Sequence, residues 1–269
     1  MTPSTFRALV WKHYRTHGRH DLPWRKTTDA YRILVSEVML QQTQVERVIP
    51  YYKNFLKEFP TIAALAKAPL SSVLRQWQGL GYNRRAKMLH EAAKVVVREH
   101  KGKMPTDAVT LETLPGVGPY TARAVAAFSA NADSIFIETN IRTAVTHHFF
   151  PEQETVSDKE VLEVLTRAYP KGKAREWYAA LMDYGSHLKR SGVRINSRAK
   201  GYTRQSKFEG SERQARGAVL RALLSGTQTK KALTGLLGTE RRPQMESALV
   251  KLVQEGLVAR TGTRFSLPG

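Results

Sequence analysis

The amino-acid sequence predicts a mostly α-helical protein that ends in a small module of helices and strands. Three observations predict it. Apolar residues recur at three- and four-residue steps through the first 200 residues, period-two alternation is scarce before residue 255, and an acid-free basic stretch separates these 200 residues from a compact second pattern. With 41% apolar residues, the chain of 269 can bury ordinary cores.

Residues 1–20 are basic, contain no acid, and place Phe6, Leu9, Val10 and Tyr14 on one helical face. Mitochondrial transit peptides share this pattern, but the segment runs straight into Leu22-Pro23-Trp24-Arg25 without a cleavable apolar stretch. An ordinary first helix is therefore expected. Val45, Val48, Ile49, Tyr52, Phe55 and Phe59 mark a second amphipathic helix, and Leu89, Ala92, Ala93 and Val96 a third. Pro50 removes a backbone donor inside the second and predicts a kink or a local break there.

Lys189, Arg190, Arg194, Arg198, Lys200, Arg204 and Lys207 form the acid-free basic stretch, followed by Glu209-Gly210-Ser211. It reads as a linker, centred on 201–210, that is either a solvated segment or a phosphate-contacting arm. Beyond it, Val219, Leu220 and Leu223, then Leu233, Leu236 and Leu237, then Leu249, Leu252 and Val253 fit three short helices. The tail from Glu255 to Leu267 alternates around Thr261-Gly262-Thr263 and predicts a hairpin. Residues 211–269 therefore resemble a winged-helix module, and their ten bases against four acids suit DNA, although many such modules bind protein.

The whole chain holds 43 bases and 23 acids, a formal charge of +20. That excess must lie at the surface, and a polyanion is its natural partner. No apolar run approaches the roughly 20 residues needed to cross a bilayer. Double-stranded DNA is the expected partner, with no membrane association, a monomeric state and a cytoplasmic, nucleoid-associated location. The chain has no cysteine, which excludes disulfides, thiolate zinc sites and cysteine-ligated iron–sulfur clusters.

Leu114-Pro115-Gly116-Val117-Gly118-Pro119-Tyr120-Thr121-Ala122 is the most informative local string. Its glycines permit backbone angles closed to side chains and let the main chain approach a ligand. Pro119 suits the first position of a following helix. Outward-facing amides at that helix start favour an anion such as a DNA phosphate. A bare pair of glycines is usually a turn, but all nine residues together resemble the helix-hairpin-helix of DNA repair glycosylases.

Two further strings, Ser36-Glu37-Val38-Met39-Leu40-Gln41-Gln42-Thr43-Gln44 and Gln78-Gly79-Leu80-Gly81-Tyr82, resemble segments of MutY-type adenine glycosylases. With Leu22-Pro23-Trp24-Arg25 and the hairpin they occur in family order from about residue 20 to residue 190. The resemblance implies the helix-hairpin-helix glycosylase fold, with two α-helical subdomains flanking a cleft. One would be a six-helix subdomain over about 23–133, the other built from 1–22 and 134–200. It implies a monofunctional base-excision repair enzyme that hydrolyses the N-glycosidic bond of a flipped adenine mispaired with 8-oxoguanine or guanine.

Breaking that bond calls for an acid to protonate the leaving base and a carboxylate to stabilise a cationic sugar, the division of labour of glycoside hydrolysis generally. By resemblance Glu37 is the proton donor, and burial among Ile33, Leu34 and Leu40 would raise its pKa to suit. The family usually places an aspartate where this chain has Glu138, just before Thr139-Asn140. The extra methylene displaces the charge by about 1.5 Å, so either the backbone compensates or activity drops. The resemblance also makes Tyr120 and Asn140 the residues that order this carboxylate. Bifunctional relatives carry lysine at the position of Tyr120, and tyrosine cannot form a Schiff base, so no strand-nicking lyase activity is expected.

Gln41, Gln42 and Tyr82 are the residues the resemblance assigns to wedging into the duplex and probing the opposite strand. Gly116, Val117, Gly118, Tyr120, Thr121, Trp24 and Arg25 complete the expected DNA contacts. No cofactor is expected, apart from an alkali cation that the 114–119 hairpin could hold. Family members commonly close the region after the segment matching Ala180–Gly185 with four cysteines around an iron–sulfur cluster. In this chain those places fall among Lys189, Asn196 and their neighbours, so a cluster-free variant is implied. The tail does not resemble the pyrophosphohydrolase-like domain that in the family helps recognise 8-oxoguanine. Two alternatives stay open: excision of thymine, uracil or hypoxanthine, and a DNA lesion-binding protein whose catalysis was lost with the change to Glu138.

Overall fold

A computed structural model describes residues 1–198 and 207–269. Lys200, Arg204 and residues 201–206 of the expected linker lie outside the described residues. The chain divides into two compact units, one of residues 1–37, 105–113 and 117–204, the other of 38–104, 114–116 and 205–269. This partition differs from the boundaries drawn on the sequence, because residues 211–269 group with 38–104 and the whole helix after the hairpin groups with the N-terminal segment.

The first unit is helical. It holds α1 (Pro3–His17), the first eight residues of α2 (Ala30–Leu40), α7 (Ala108–Glu112), α8 (Pro119–Ala130), α9 (Thr139–Phe149), α10 (Asp158–Ala168) and α11 (Ala174–Arg190). The basic N-terminal segment is the ordinary first helix that its periodicity predicts, with Phe6 and Val10 fully buried. Helix α11 is the spine, packing on α1, α8 and α9. Trp177 and Tyr178 anchor it in a core shared with Phe6, Ala124, Phe136 and Ile141.

Two features fix the position of α11. Its Asp183 is buried and receives bidentate hydrogen bonds from Arg25, Nη1 to Oδ2 at 2.5 Å and Nη2 to Oδ1 at 2.8 Å. Arg19 adds its Nε at 2.6 Å and its backbone amide at 2.8 Å. Burial alone would raise the Asp183 carboxyl, but the Arg25 hydrogen bond and the charges of Arg25 and Arg19 hold it below the ordinary range. The second feature is Gly185, where an added Cβ would lie 2.0 Å from the Asn140 carbonyl oxygen of α9. Only glycine permits so close an approach of the two helices.

The second unit contains α3 (Val45–Glu58), α4 (Ile62–Lys67), α5 (Leu70–Trp77) and α6 (Arg84–Glu99), followed by α12 (Glu212–Leu224), α13 (Lys230–Thr234) and α14 (Arg242–Gln254). Helix α3 runs unbroken through Pro50, against the expected interruption. Proline costs one donor there, to the Glu46 carbonyl near the helix start, and Val48, Tyr52 and Phe55 still bury one continuous face. The C-terminal residues form three helices and a hairpin as their pattern predicts, with β2 (Ala259–Thr261) turning at Gly262 into β3 (Arg264–Ser266). A third strand, β1 (Gln228–Thr229), pairs antiparallel with β3 and gives the order β1-β3-β2. Two residues are too few for periodicity to reveal. The second helix ends at Thr234, so Leu236, expected on its apolar face, is exposed.

Removing the charge at the spine should show how much it supports. Asp183→Asn leaves two guanidinium groups without their carboxylate, and an expected loss of about 3–5 kcal/mol would appear in denaturant unfolding. A loss under about 1 kcal/mol would mean that Arg19 and Arg25 find other partners at little cost.

Candidate active site

Helix α2 is apolar along most of its length, with Ile33, Leu34, Val35, Val38 and Met39 buried, so a carboxylate on it is drawn out of water. Glu37 is 6% exposed. The Tyr120 hydroxyl donates to its Oε2 at 3.0 Å. Tyr120 occupies the first turn of α8, which Gly118 caps and Pro119 opens. Its ring meets Phe136 edge-on at 5.7 Å, and Phe136 stacks on Tyr178 at 3.7 Å. Burial raises the Glu37 carboxyl to about 7; the Tyr120 hydrogen bond and Arg25 oppose the rise, and the nearby charge of Glu138 adds to it. Tyr120 is raised well above the ordinary phenol range, by burial first and then by the two carboxylates.

Glu138 caps α9. Its Oε1 accepts the backbone amides of Asn140 at 2.7 Å and Ile141 at 3.0 Å, and its Oε2 accepts Asn140 Nδ2 at 3.2 Å. Aspartate is a preferred residue at such a cap and glutamate is not. Here the longer arm still reaches both amides, which is how the backbone accommodates the extra methylene. Burial raises its carboxyl, while the Asn140 amide and the charge of Lys189 pull it back. Lys189 Nζ donates to Asn140 Oδ1 at 2.8 Å from the last turn of α11. Glu37 with Tyr120, and Glu138 with Asn140 and Lys189, thus form two hydrogen-bonded sets inside the first unit, linked by the charge interaction of the two carboxyls. Tyr120 binds Glu37 rather than Glu138, so of the two residues expected to order the second carboxylate only Asn140 touches it.

In the second unit Arg85 organises the residues that follow α2. Its Nη1 donates to the carbonyls of Val38, Met39 and Gln41 at 2.7, 3.1 and 2.6 Å, and its Nη2 to Gly81 O at 3.2 Å and Thr43 Oγ1 at 3.3 Å. The guanidinium lies 5.4 Å from the Trp77 ring and 5.5 Å from that of Tyr82. Burial lowers it to about 10, so it stays charged at neutral pH. Gln42 and Tyr82 both adopt left-handed backbone, at φ +56° and +48°. Such strain persists only where neighbours enforce it. Gln42 is exposed, Gln41 half-buried, and Tyr82 36% exposed. Gly116 is also left-handed, and a Cβ there would lie 2.4 Å from Met88 Cβ.

The HhH-GPD superfamily base excision DNA repair protein family matches residues 35–171. The chain belongs to this family. The adenine DNA glycosylase of Mycolicibacterium smegmatis is 38% identical, with 100% of this chain and 97% of the relative covered. That of Mycobacterium tuberculosis is 36% identical over 97% of this chain and 92% of its own length. The human adenine DNA glycosylase is 42% identical over 51% of this chain and 27% of its own. Among solved structures a thermostable thymine-DNA glycosylase superposes with a TM-score of 0.60 at 26% identity, covering 68% of this chain and 86% of its own. A trapped endonuclease III–DNA intermediate does so at 0.57 over 71% and 87%, and at 19% identity it speaks for the fold alone. The mostly α, endonuclease III-like fold and MutY-type membership read from the sequence therefore stand, and the protein is a DNA N-glycosylase.

Several residues expected to contact DNA are engaged or buried within the fold. Arg25 is engaged in the buried pair with Asp183, its side chain 12% exposed, and Trp24 and Thr121 are buried. Val117 is buried as well, whereas Gly116 and Gly118 on either side of it are exposed. Sequence reading missed Lys189 and Arg85. Lys189 sits in a run of bases that looks solvated throughout, and Arg85 is one of two adjacent arginines in an exposed-looking helix start. A spacing signal did exist for the first, since Gly185 and Lys189 lie one helical turn apart on α11. The iron–sulfur cluster common in the family does not fit here. The chain has no thiolate donor, and the Lys189 ammonium turns to Asn140.

The raised Glu37 carboxyl has a consequence for stability. Its pKa in the fold, about 7 against an ordinary 4.5, means the folded chain holds an extra proton between those values, so stability falls as pH rises through that window. Glu37→Gln removes the penalty. The variant should be more stable than the parent by about 2–3 kcal/mol at pH 8 and indistinguishable from it near pH 4. Equilibrium unfolding at the two pH values checks this, and equal stability at pH 8 would mean that Glu37 ionises at its ordinary pH.

Proposed function

We propose that this HhH-GPD glycosylase excises adenine from mispairs with 8-oxoguanine or guanine and leaves an abasic site without cutting the strand. The observation that carries the reading is Glu37, a buried carboxylic acid raised to about 7, hydrogen-bonded by Tyr120 and electrostatically coupled to Glu138. Adenine is favoured by relatives that bear the name adenine DNA glycosylase over nearly the full chain.

A base within the duplex is out of reach, so the nucleotide must leave the stack at a cost of a few kcal/mol. The exposed Gln42 and the Tyr82 loop held by Arg85 are suited to filling the gap, and the start of α8 at Gly118 is suited to a backbone phosphate. With Oε2 of Glu37 accepting from Tyr120, Oε1 is the oxygen that carries the acid proton. Glu37 gives that proton to a purine nitrogen as the bond from C1′ to the base breaks and its electron pair leaves on the base. Positive charge grows on the sugar and Glu138 faces it as the anion. Water then adds to C1′ and releases a proton, restoring Glu37. A positioned acid of this type is worth about 10²–10⁴ in rate. Tyr120 provides no amine for a Schiff base, and none of these steps needs a redox or metal cofactor. We take the protein to act as a monomer.

A single-turnover assay tests this over duplexes carrying adenine opposite 8-oxoguanine or guanine, and thymine, uracil or hypoxanthine in mispairs. Adenine release should decline above pH about 7 as Glu37 ionises, and Glu37→Gln should reduce it by at least about 10²-fold. Borohydride should trap no covalent complex. Release of a pyrimidine in place of adenine would replace the substrate, and tight binding with no abasic product would leave a lesion-binding protein.

A further inference from the structure

We infer that Lys189 is the positioning residue for the second carboxylate, a half-buried cation that acts through the Asn140 side chain to hold Glu138 as the anion of the pair. The inference rests on the excision reading for its consequence in catalysis, and on geometry alone for its electrostatics.

The Asn140 amide lies between the two charges. Its oxygen accepts from Lys189 Nζ at 2.8 Å, and its nitrogen donates to Glu138 Oε2 at 3.2 Å. That orientation is enforced chemically, because the reversed amide would aim NH₂ at an ammonium and an oxygen at a carboxylate. The lysine therefore fixes which way Asn140 points, and Asn140 in turn fixes one oxygen of Glu138.

The placement of Lys189 is built into the helix. Gly185 stands one turn earlier on the same face of α11, and the absence of its Cβ lets the Asn140 backbone come within a distance no other residue allows. Were α11 further from α9, the amine would miss the Asn140 amide. The end of the helix is closed by Gly192 N donating to the Lys189 carbonyl at 3.2 Å and by Arg194 Nη1 at 2.5 Å. Burial lowers the Lys189 amine, and Glu138 restores part of that loss. A lysine that served only as part of a solvated basic run would have no reason to give up even part of its hydration to meet a neutral amide.

The ionisable groups around Glu138 are Lys189 from α11, Glu37 from α2 and Tyr120 from α8. Two buried carboxyls close enough to interact cannot both ionise cheaply, so one proton has to be allotted between them. Tyr120 hydrogen-bonds Glu37 and Lys189 stands by Glu138. With the lysine charged, Glu138 gives up the proton and Glu37 keeps it. Without it, both carboxyls are raised and the two roles blur.

The test is a carboxyl ¹³C NMR titration of the full chain labelled at glutamate, with the Glu138 signal assigned by Glu138→Gln, in the parent, Lys189→Met and Lys189→Arg. Lys189→Met should raise the Glu138 pKa by about one unit or more, and Lys189→Arg should leave it near the parent value. Single-turnover rates on an adenine·8-oxoguanine duplex should then show the acidic limb of the pH profile moved up by the same amount in Lys189→Met, a roughly tenfold loss on that limb, and restored in Lys189→Arg. A role confined to stability would lower the melting temperature and leave both the titration and the limb in place, which would overturn the inference. If Lys189→Met does not fold, Lys189→Gln carries the same readouts. A parent protein inactive on every duplex sinks the excision reading but not the titration result. An active parent with an unmoved Glu138 pKa in the lysine variants sinks the inference alone.

Discussion

The site depends on the exclusion of water from one carboxyl group. Glu37 lies on an apolar helix, and the loss of hydration there outweighs the hydrogen bond and the cation that would favour its ionised form. An exposed glutamate would be ionised at neutral pH and could protonate nothing. The fold therefore keeps a group that costs stability when charged and retains its proton near neutral pH in consequence, which is the property the proposed acid requires. Tyr120 contributes a hydrogen bond to one of the Glu37 oxygens, Oε2.

Helix α11 links this chemistry to the architecture. Asp183, Gly185 and Lys189 follow one another along it, the first buried under two arginines, the second pressed against α9, the third reaching the Asn140 amide. Each constrains the same helix to the same place. Arg25 belongs to this scheme, since it both neutralises Asp183 and contributes to the field at Glu37. In this structure its guanidinium is committed to these internal partners.

The residues after α2 show a second use of a partly buried cation. Arg85 donates to carbonyls that the end of the helix leaves without partners, and also to the loop before Tyr82. One guanidinium thus holds two strained backbone positions, Gln42 and Tyr82, in register. A planar fork with several donors can do this and an ammonium cannot.

The sequence by itself determined the helical class, the three helices and hairpin at the C-terminal end, and the family, and it singled out the two glutamates whose charges the fold brings within reach of each other. Each of these is written in local pattern: apolar spacing, turn residues, and strings such as Ser36–Gln44 and Leu114–Ala122 whose order leaves little to chance. Of the kink or break expected at Pro50, the break does not occur, because a missing donor near a helix start is outweighed by a continuous buried face. Nor could the sequence show that Arg25 is paired with Asp183 or that Trp24 and Thr121 are buried, because residue type carries no information about burial. Only the tertiary structure decided where the charges went. Lys189 and Arg85 read as solvated bases until segments distant along the chain bring Asn140 to one and the carbonyls after α2 to the other. The reason is physical: the state of an ionisable group is set by the water removed from it and by charges folded beside it, and both belong to the packed chain rather than to any window of its sequence.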